Sequence, residues 1–91
     1  DANQTAGKTL LKVWPNPVRN HMTIEYETTG GMTIVQIMDS SGRIVASPVR
    51  TWQPKGRYQE SWDASSLSAG TYFCRFLNGG QTQTKMVVKV E

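Results

Sequence analysis

The sequence has very few of the residues from which metal sites, disulfides and catalytic centres are built. Among its 91 residues there is one cysteine, Cys74, and one histidine, His21. A single cysteine excludes an internal disulfide, and one histidine beside one cysteine excludes a zinc site made of several such ligands. No nucleophile can be assigned to His21, so no catalytic triad is proposed. We expect no cofactor and no metal, and we interpret Cys74 as a small buried hydrophobe.

Long apolar runs and helical periodicity are also missing. No run approaches the ~20 residues of a membrane-spanning helix, and no N-terminal signal peptide is visible. The first residue is Asp1 rather than methionine, so we expect a segment cut from a longer protein. A chain of 91 residues supports one domain with a small core. Residues 1–9 are mostly small and polar, and we interpret them as a linker or lead-in to a domain over residues 10–91.

The charge of the chain is mildly basic. Ten lysines and arginines stand against seven acids, and the formal net charge is +3. The basic residues are spread out, apart from Arg43, Arg50, Lys55 and Arg57, which lie in an acid-free stretch over residues 40–59 that also holds Trp52 and Tyr58. Nucleic-acid binding needs a basic face with stacking aromatic side chains, but a solvated face of strands and loops explains this stretch better. We therefore expect no nucleic-acid partner.

The acidic residues do not form a convincing catalytic pair. Glu25 and Glu27 share one face of a strand pattern, and paired carboxylates can perform acid–base chemistry in a cleft. On an exposed polar strand, however, they more often serve solubility. Asp39 and Asp63 fall in turns, where aspartate accepts backbone amide bonds, and the Asp39 turn lacks the oxygen-ligand spacing of a calcium loop. An enzyme is therefore not expected.

Short alternating segments, separated by turns rich in Gly, Pro, Asn and Ser, predict an all-β protein. We predict a seven-stranded immunoglobulin-like antiparallel β-sandwich; the likeness concerns architecture only, because the paired cysteines of antibody domains are absent. The strands are expected over residues 9–14, 21–27, 32–38, 43–46, 57–62 and 72–77, with a last strand ending at residue 90. The apolar segment 32–38 is placed centrally in a sheet, because both of its faces are apolar. The pattern does not decide which of these faces points toward the core. Pro48 is expected to stop an edge strand, with a loop over residues 52–56.

The C-terminal segment, residues 67–90, has the pattern of a β-hairpin on which the sandwich is built. Asn78-Gly79-Gly80 is expected to reverse the chain, because Asn and Gly tolerate the positive φ of tight hairpin turns. On the first strand the inward side chains are predicted to be Tyr72, Cys74 and Phe76, with the charged Arg75 outward. On the second strand the inward side chains are predicted to be Met86, Val88 and Val90. The outward side chains there are predicted to be Lys85, Val87 and Lys89.

Four segments, taken in order, resemble the C-terminal sorting domains of the type IX secretion system, in their larger type A group. Residues 13–17, VWPNP, resemble the family's opening YPNP signature, and residues 35–45 resemble its strand, "D..Gr.v" turn and following strand. Residues 62–72, WDASSLSAGTY, are similar to its "lDlssLpaGvY" stretch, and residues 84–90 resemble its lysine-bearing final strand. The signature residues are Pro15, Asn16, Pro17, Asp39, Gly42, Asp63 and Leu67. The order and separation of these segments, rather than any one of them, carry the resemblance.

The resemblance implies a non-catalytic secretion signal on a cargo or machinery protein. Such a domain folds in the periplasm and is recognised by the outer-membrane type IX translocon and its shuttle proteins. A cell-surface sortase-type signal peptidase usually removes it, and the cargo is then attached to the surface or released. In this chain the cut is expected within residues 1–9. The expected localisation is the periplasm in transit, then the cell surface of the outer membrane or the medium.

Recognition residues are expected on the C-terminal hairpin, where an apolar strip with a basic rim would suit docking. The candidates are Gly70, Tyr72, Arg75, Lys85, Val87 and Lys89. The alternative for the apolar strip is that Phe73, Leu77 and Val87 are only packed beneath a loop. A second class of function is a carbohydrate-binding or adhesive accessory sandwich, with Trp52 as its stacking platform and Trp62 in the core. An exposed edge strand could also permit a homodimer.

Overall fold

The computed structural model describes residues 8–91, which form seven β-strands and no helix. The strands are β1 (Leu11–Trp14), β2 (His21–Thr28), β3 (Gly31–Asp39), β4 (Ile44–Gln53), β5 (Gly56–Asp63), β6 (Gly70–Asn78) and β7 (Gln81–Lys89). No helix in this part of the chain could therefore cross a bilayer. The expected lead-in lies outside the described residues except for its last two positions, Lys8 and Thr9.

Two antiparallel sheets pack face to face as a sandwich. The small sheet has the strand order β1-β2-β5, and the large sheet has the order β4-β3-β6-β7. Near the start of β6, Tyr72 donates its hydroxyl to the carbonyl oxygen of Ser68 at 2.7 Å, the tyrosine-corner contact of immunoglobulin-like sandwiches. The predicted seven-stranded immunoglobulin-like antiparallel β-sandwich is confirmed, and β3 lies inside the large sheet as expected.

The core lies between the sheets and is built from alternate residues of their strands. The ring of Tyr26 on β2 lies with its centre 5.6 Å from that of Tyr58 on β5 and 5.7 Å from that of Phe76 on β6. This aromatic cluster joins the two sheets. The other fully buried strand residues are Leu11 from β1, Met22, Ile24 and Thr28 from β2, Thr33, Val35 and Ile37 from β3, and Cys74 from β6.

Cys74 behaves as a core hydrophobe. Its side chain is fully buried, and burial raises the pKa of the thiol to about 12, because a thiolate would have to leave water. The sulfur therefore stays protonated at neutral pH, and the interpretation of Cys74 as a packing residue is confirmed.

The fourth strand is longer than predicted. The sequence predicts that Pro48 stops it, but β4 continues to Gln53 as the edge of the large sheet. Val35 pairs with Val49 and Ile37 with Ala46, so two residues of β4 face one residue of β3 there. This bulge contains Pro48, whose missing amide donor costs no ladder hydrogen bond at a bulged edge position. The predicted loop over residues 52–56 is therefore wrong at its start, since Trp52 lies on the strand.

The last strand faces the opposite way from the prediction. Val87 is 3% exposed and Lys89 4% exposed, whereas Met86 is 56% exposed. The two-residue loop Gly79-Gly80 sets Asn78 opposite Gln81, so even residues of β6 pair with odd residues of β7. Because β6 buries its even residues, β7 must bury its odd ones, and turn length overrides the apparent apolar alternation.

Asn78 also differs from expectation. Within residues 8–91 no residue other than glycine has a positive φ, and the turn uses Gly79 at +59° instead. Asn78 is buried, and its amide nitrogen donates to the carbonyl oxygens of Gly30 and Met32, both at 3.1 Å. Its amide oxygen accepts from the backbone nitrogen and hydroxyl of Thr29 at 3.0 and 2.8 Å. Asn78 therefore holds the β2–β3 turn, with all its polar atoms paired.

Candidate recognition surface

The VWPNP signature is a structural clamp on the last strand. Asn16 donates its side-chain nitrogen to the carbonyl oxygen of Met86 at 2.9 Å, and its side-chain oxygen accepts from the backbone nitrogen of Val88 at 2.9 Å. The amide of Asn16 thus pairs with β7 as a neighbouring strand would. Proline has no backbone N–H, so with prolines on both sides the side chain of Asn16 supplies this donor.

Val18 extends the same pairing by two backbone bonds. Its nitrogen donates to the carbonyl oxygen of Val88 at 2.8 Å, and the nitrogen of Val90 donates to its carbonyl oxygen at 2.9 Å. The side chain of Val18 is buried in the core, and Arg19 donates to the backbone oxygen of Glu91. We call residues 16–19, in their contacts with residues 86–91, the terminal clip. It closes the C-terminal end of an otherwise open sheet edge.

A second contact ties the N-terminal segment to β7. The side-chain oxygen of Gln83 accepts from the backbone nitrogens of Leu10 and Leu11 at 2.8 and 3.1 Å. The side-chain nitrogen of Gln83 donates to the carbonyl oxygen of Lys8 at 2.5 Å. Sequence reasoning missed both this contact and the terminal clip, because the partners are 70 or more residues apart.

Asp39 shapes the β3–β4 turn. One carboxylate oxygen accepts from the backbone nitrogen and hydroxyl of Ser41 at 3.0 and 2.6 Å, and from the backbone nitrogen of Arg43 at 3.0 Å. These bonds, the Ser41 hydroxyl first, lower the pKa of Asp39 below its ordinary value. Gly42 follows with φ of +90°, which favours glycine. The sequence expectation that Asp39 accepts backbone bonds is confirmed.

Asp63 has the corresponding part in the β5–β6 connection. Its carboxylate accepts from the backbone nitrogen and hydroxyl of Ser65 at 2.9 and 2.6 Å, and these bonds, the hydroxyl first, lower its pKa. Leu67 packs against the core from this turn. Gly70 opens β6 with φ of +152°. The signature residues thus shape and anchor turns, and no group of three metal-ligating side chains occurs in the described part of the chain.

The outward side of the large sheet, here called the outer face, carries an apolar row across all its strands. Strand register aligns the members of this apolar row, which are Ile44, Met38, Phe73 and Met86. Ile44 and Met86 at its ends are exposed, whereas Met38 is only 9% exposed. A polar row follows, made of Gln36, Arg75 and Thr84. The next row across the four strands is made of Arg50, Ile34, Leu77 and Thr82. Most of the large exposed hydrophobic side chains of the described residues, including Ile44 and Met86, lie on this face.

The six candidate recognition residues do not lie on one face. Arg75 is on the outer face as predicted, and Gly70 and Lys85 are exposed. Tyr72 and Val87 stand opposite each other on the inward side of the hairpin, and Lys89 is buried. The predicted strip, with Val87 flanked by outward lysines, is therefore wrong as a surface. The apolar residue of β7 that lies beside Phe73 on the outer face is Met86, not Val87.

The small sheet presents a surface of the opposite character. Its outward side chains form ion pairs: Arg57 bonds Glu25 and Glu27 at 3.4 and 3.3 Å, and Lys8 bonds Glu27 at 2.7 Å. The Lys8 bond, followed by Arg57, lowers the pKa of Glu27. Exposed pairs of this kind contribute little stability. Glu25 and Glu27 are thus partly buried and paired with cations, and the expectation that they serve solubility stays a prediction.

These features define a class, a small immunoglobulin-like β-sandwich module with its first and last segments joined and one apolar sheet face uncovered. The model of the secretion system C-terminal sorting domain family matches residues 12–90. The chain belongs to this family, and its role is that of a type IX secretion C-terminal sorting signal. It acts with the type IX secretion machinery in export across the outer membrane, to the cell surface or the medium. No curated protein matches the chain significantly.

Proposed function

We propose that residues 10–91 form a non-catalytic secretion signal domain, with residues 1–9 as its linker. This domain directs an attached cargo or machinery protein through the outer-membrane type IX translocon. The family match over nearly the whole sandwich carries the proposal. The domain needs no cofactor for this role, because recognition uses surface shape and charge alone. Domains of this family are generally non-catalytic, and the buried, protonated Cys74 offers no nucleophile.

The route in this proposal has three steps. The domain folds in the periplasm, shuttle proteins and the translocon bind it, and a sortase-type signal peptidase cuts within residues 1–9 at the cell surface. A cut before Lys8 leaves the hydrogen bonds of Gln83 and the terminal clip intact, so the domain would leave as a folded unit. Among the candidate recognition residues, Gly70 and Lys85, which are exposed, and Arg75, which is partly buried on the outer face, act by contact. Inward-facing Tyr72, Val87 and Lys89 act by holding the hairpin.

The test is export of a reporter. The 91-residue chain, fused to the C-terminus of a reporter that carries an N-terminal secretion signal, is expressed in a type IX-competent cell. We expect the reporter at the surface or in the medium, and release of the domain by a cut before Lys8. A fusion lacking residues 85–91 should stay in the periplasm. Retention of the intact fusion, or equal export of the truncated one, would contradict the proposal.

A carbohydrate-binding or adhesive function is the second candidate, favoured by the position of Trp52. This side chain is 65% exposed on edge strand β4, whereas Trp62 packs against the core. If Trp52 is a stacking platform, Trp52→Ala should abolish retention on immobilised cell-surface polysaccharide while leaving export unchanged. We also place the homodimer contact at this exposed edge of β4. Measurement of the molecular mass of the domain in solution tests it, and a dimer should have twice the mass of the chain.

A further inference from the structure

The two sheets of the sandwich differ sharply in charge. The strands of the large sheet contain one acidic residue, Asp39, which faces its own turn and pairs with Arg43 at 3.3 Å. They contain Arg50 and Arg75, both on the outer face. The acidic side chains of the strands concentrate instead on the small sheet. The outer face therefore combines positive charge with exposed apolar area and has no carboxylate of its own.

Arg75 stands at the centre of this face with incomplete partners. Its neighbours across the strands are Gln36 and Thr84, and one guanidinium nitrogen donates to the side-chain oxygen of Gln36 at 2.8 Å. The Nε atom is buried and has no hydrogen-bond partner within residues 8–91. An arginine fork matches a carboxylate with two parallel hydrogen bonds, and apolar side chains on both sides would strengthen such a pair by excluding water.

We infer, on the basis of the proposed function, that the outer face docks a protein segment of the type IX machinery that presents a carboxylate between apolar side chains, with the carboxylate on Arg75. The apolar row receives one flank of the segment, and Ile34 with Leu77 receives the other. Recognition thus depends on the middle of the large sheet as well as on the terminal residues of the chain.

The size of the face fits brief contact rather than a permanent complex. Strands are about 4.8 Å apart and residues about 3.3 Å apart along them, so the region from the apolar row to Leu77 measures roughly 15 Å by 13 Å. This is on the order of 200 Å², well below the ~800 Å² per partner of a stable interface. A second copy of the chain is a poor occupant, because a two-fold contact would set Arg75 against Arg75.

Photo-crosslinking identifies what touches the face. A photoreactive residue replaces Thr84, which is exposed beside Arg75, and in a matched variant it replaces Ser61, which is exposed on the opposite side of the sandwich. During export, we expect Thr84 alone to crosslink to one site on a machinery protein, close to an aspartate or glutamate. Crosslinks only to lipid, only to a second copy of the domain, or equally from both positions would overturn the inference.

Charge exchange then tests the pairing itself. Arg75→Met removes the charge, the unpartnered Nε and the bond to Gln36 while keeping side-chain length. The lost bond and the removed buried donor offset each other, so the melting temperature should change little. Export should slow about tenfold, ~1.4 kcal/mol. Arg75→Glu should block export, and lysine at the crosslinked acid should restore it. Arg57→Met, on the small sheet, is the control and should export normally.

The outcomes separate this inference from the function on which it rests. If the unmodified fusion is not exported, the proposed function fails and the inference falls with it. If that fusion is exported and Arg75→Met is exported equally well, only the inference fails. A large loss of melting temperature in Arg75→Met would show that Arg75 stabilises the fold, and would also overturn it.

Discussion

Asn16 offers the sharpest test of the terminal clip. Asn16→Ala removes two hydrogen bonds, to Met86 and Val88. A net hydrogen bond contributes about 0.5–1.5 kcal/mol, and these groups lie near water that can partly replace the amide. We therefore expect a loss of about 1–2 kcal/mol in the free energy of unfolding. For a domain of this size each kcal/mol lowers the melting temperature by about 4–8 °C.

A second variant separates the two bonds. Asn16→Asp keeps an acceptor for the Val88 nitrogen, but at neutral pH it replaces the donor to Met86 by a carboxylate oxygen facing a carbonyl oxygen. Its loss of stability should therefore equal or exceed that of Asn16→Ala. Asn20→Ala is the matched control, since its exposed side chain makes no hydrogen bond within residues 8–91.

The assay combines urea unfolding with amide hydrogen exchange. Asn16→Ala should lower the midpoint without changing the slope, and it should speed exchange most at Val88, whose amide hydrogen bonds Asn16 directly. An unchanged midpoint together with unchanged exchange at Val88 would refute the clip as a stabilising contact. A loss of the same size in Asn20→Ala would show that the effect is not specific to Asn16.

Four further predictions concern the turns and the core. Gly70→Val should lower the melting temperature, because φ of +152° is strained for other residues; an unchanged value would contradict this. Tyr72→Phe should cost about 0.5–1.5 kcal/mol by losing the corner hydrogen bond, measured by urea unfolding; no loss would mean that water replaces it. The pKa of Asp39 is lowered in the fold, so its stabilising effect is complete above the ordinary value and disappears as pH falls through the folded value. Below about pH 4 the wild type should therefore lose more stability than Asp39→Asn, and parallel pH curves would contradict this. Cys74, with its pKa raised to about 12, should react with iodoacetamide only on unfolding, and rapid labelling of the native domain would contradict this.

The sequence was sufficient where one face of a strand is clearly apolar. The alternation of Met22, Ile24 and Tyr26 predicts the inner face of β2. The charge of Arg75 correctly predicts that its face of β6 points outward. Both inferences rest on the cost of burying charge. The architecture and the family followed from the order of such strands and turns.

The facing of β7 could not be read in the same way. Met86, Val87 and Val88 are consecutive apolar residues, so either face satisfies the pattern. The charge of Lys89 predicts that the odd-numbered residues of β7 face outward. Its side chain is nevertheless largely buried, and its ammonium donates to the carbonyl oxygen of Val90 at 3.3 Å. A lysine can bury its aliphatic stem while its charged end finds a polar group. The hairpin loop length, not the side chains, sets the register.

The terminal clip was beyond sequence reasoning for a different reason. Asn16 and Met86 are 70 residues apart, and local patterns carry no information about such a contact. An asparagine between two prolines indicates a turn, and nothing in its neighbourhood shows which strand the amide will meet. The outer face likewise depends on the register of four strands at once.

The bonds between the first and last segments also determine how the domain bears mechanical load. Tension applied at Lys8 is met first by its ion pair with Glu27 and by the hydrogen bonds of Gln83. Next along the chain come the fully buried side chain of Leu11 and the pairing of β1 with β2. The bonds of Asn16 and Val18 to β7 are loaded only after β1 has left the small sheet. The core therefore shields the contact with the last strand from a pull on the first segment.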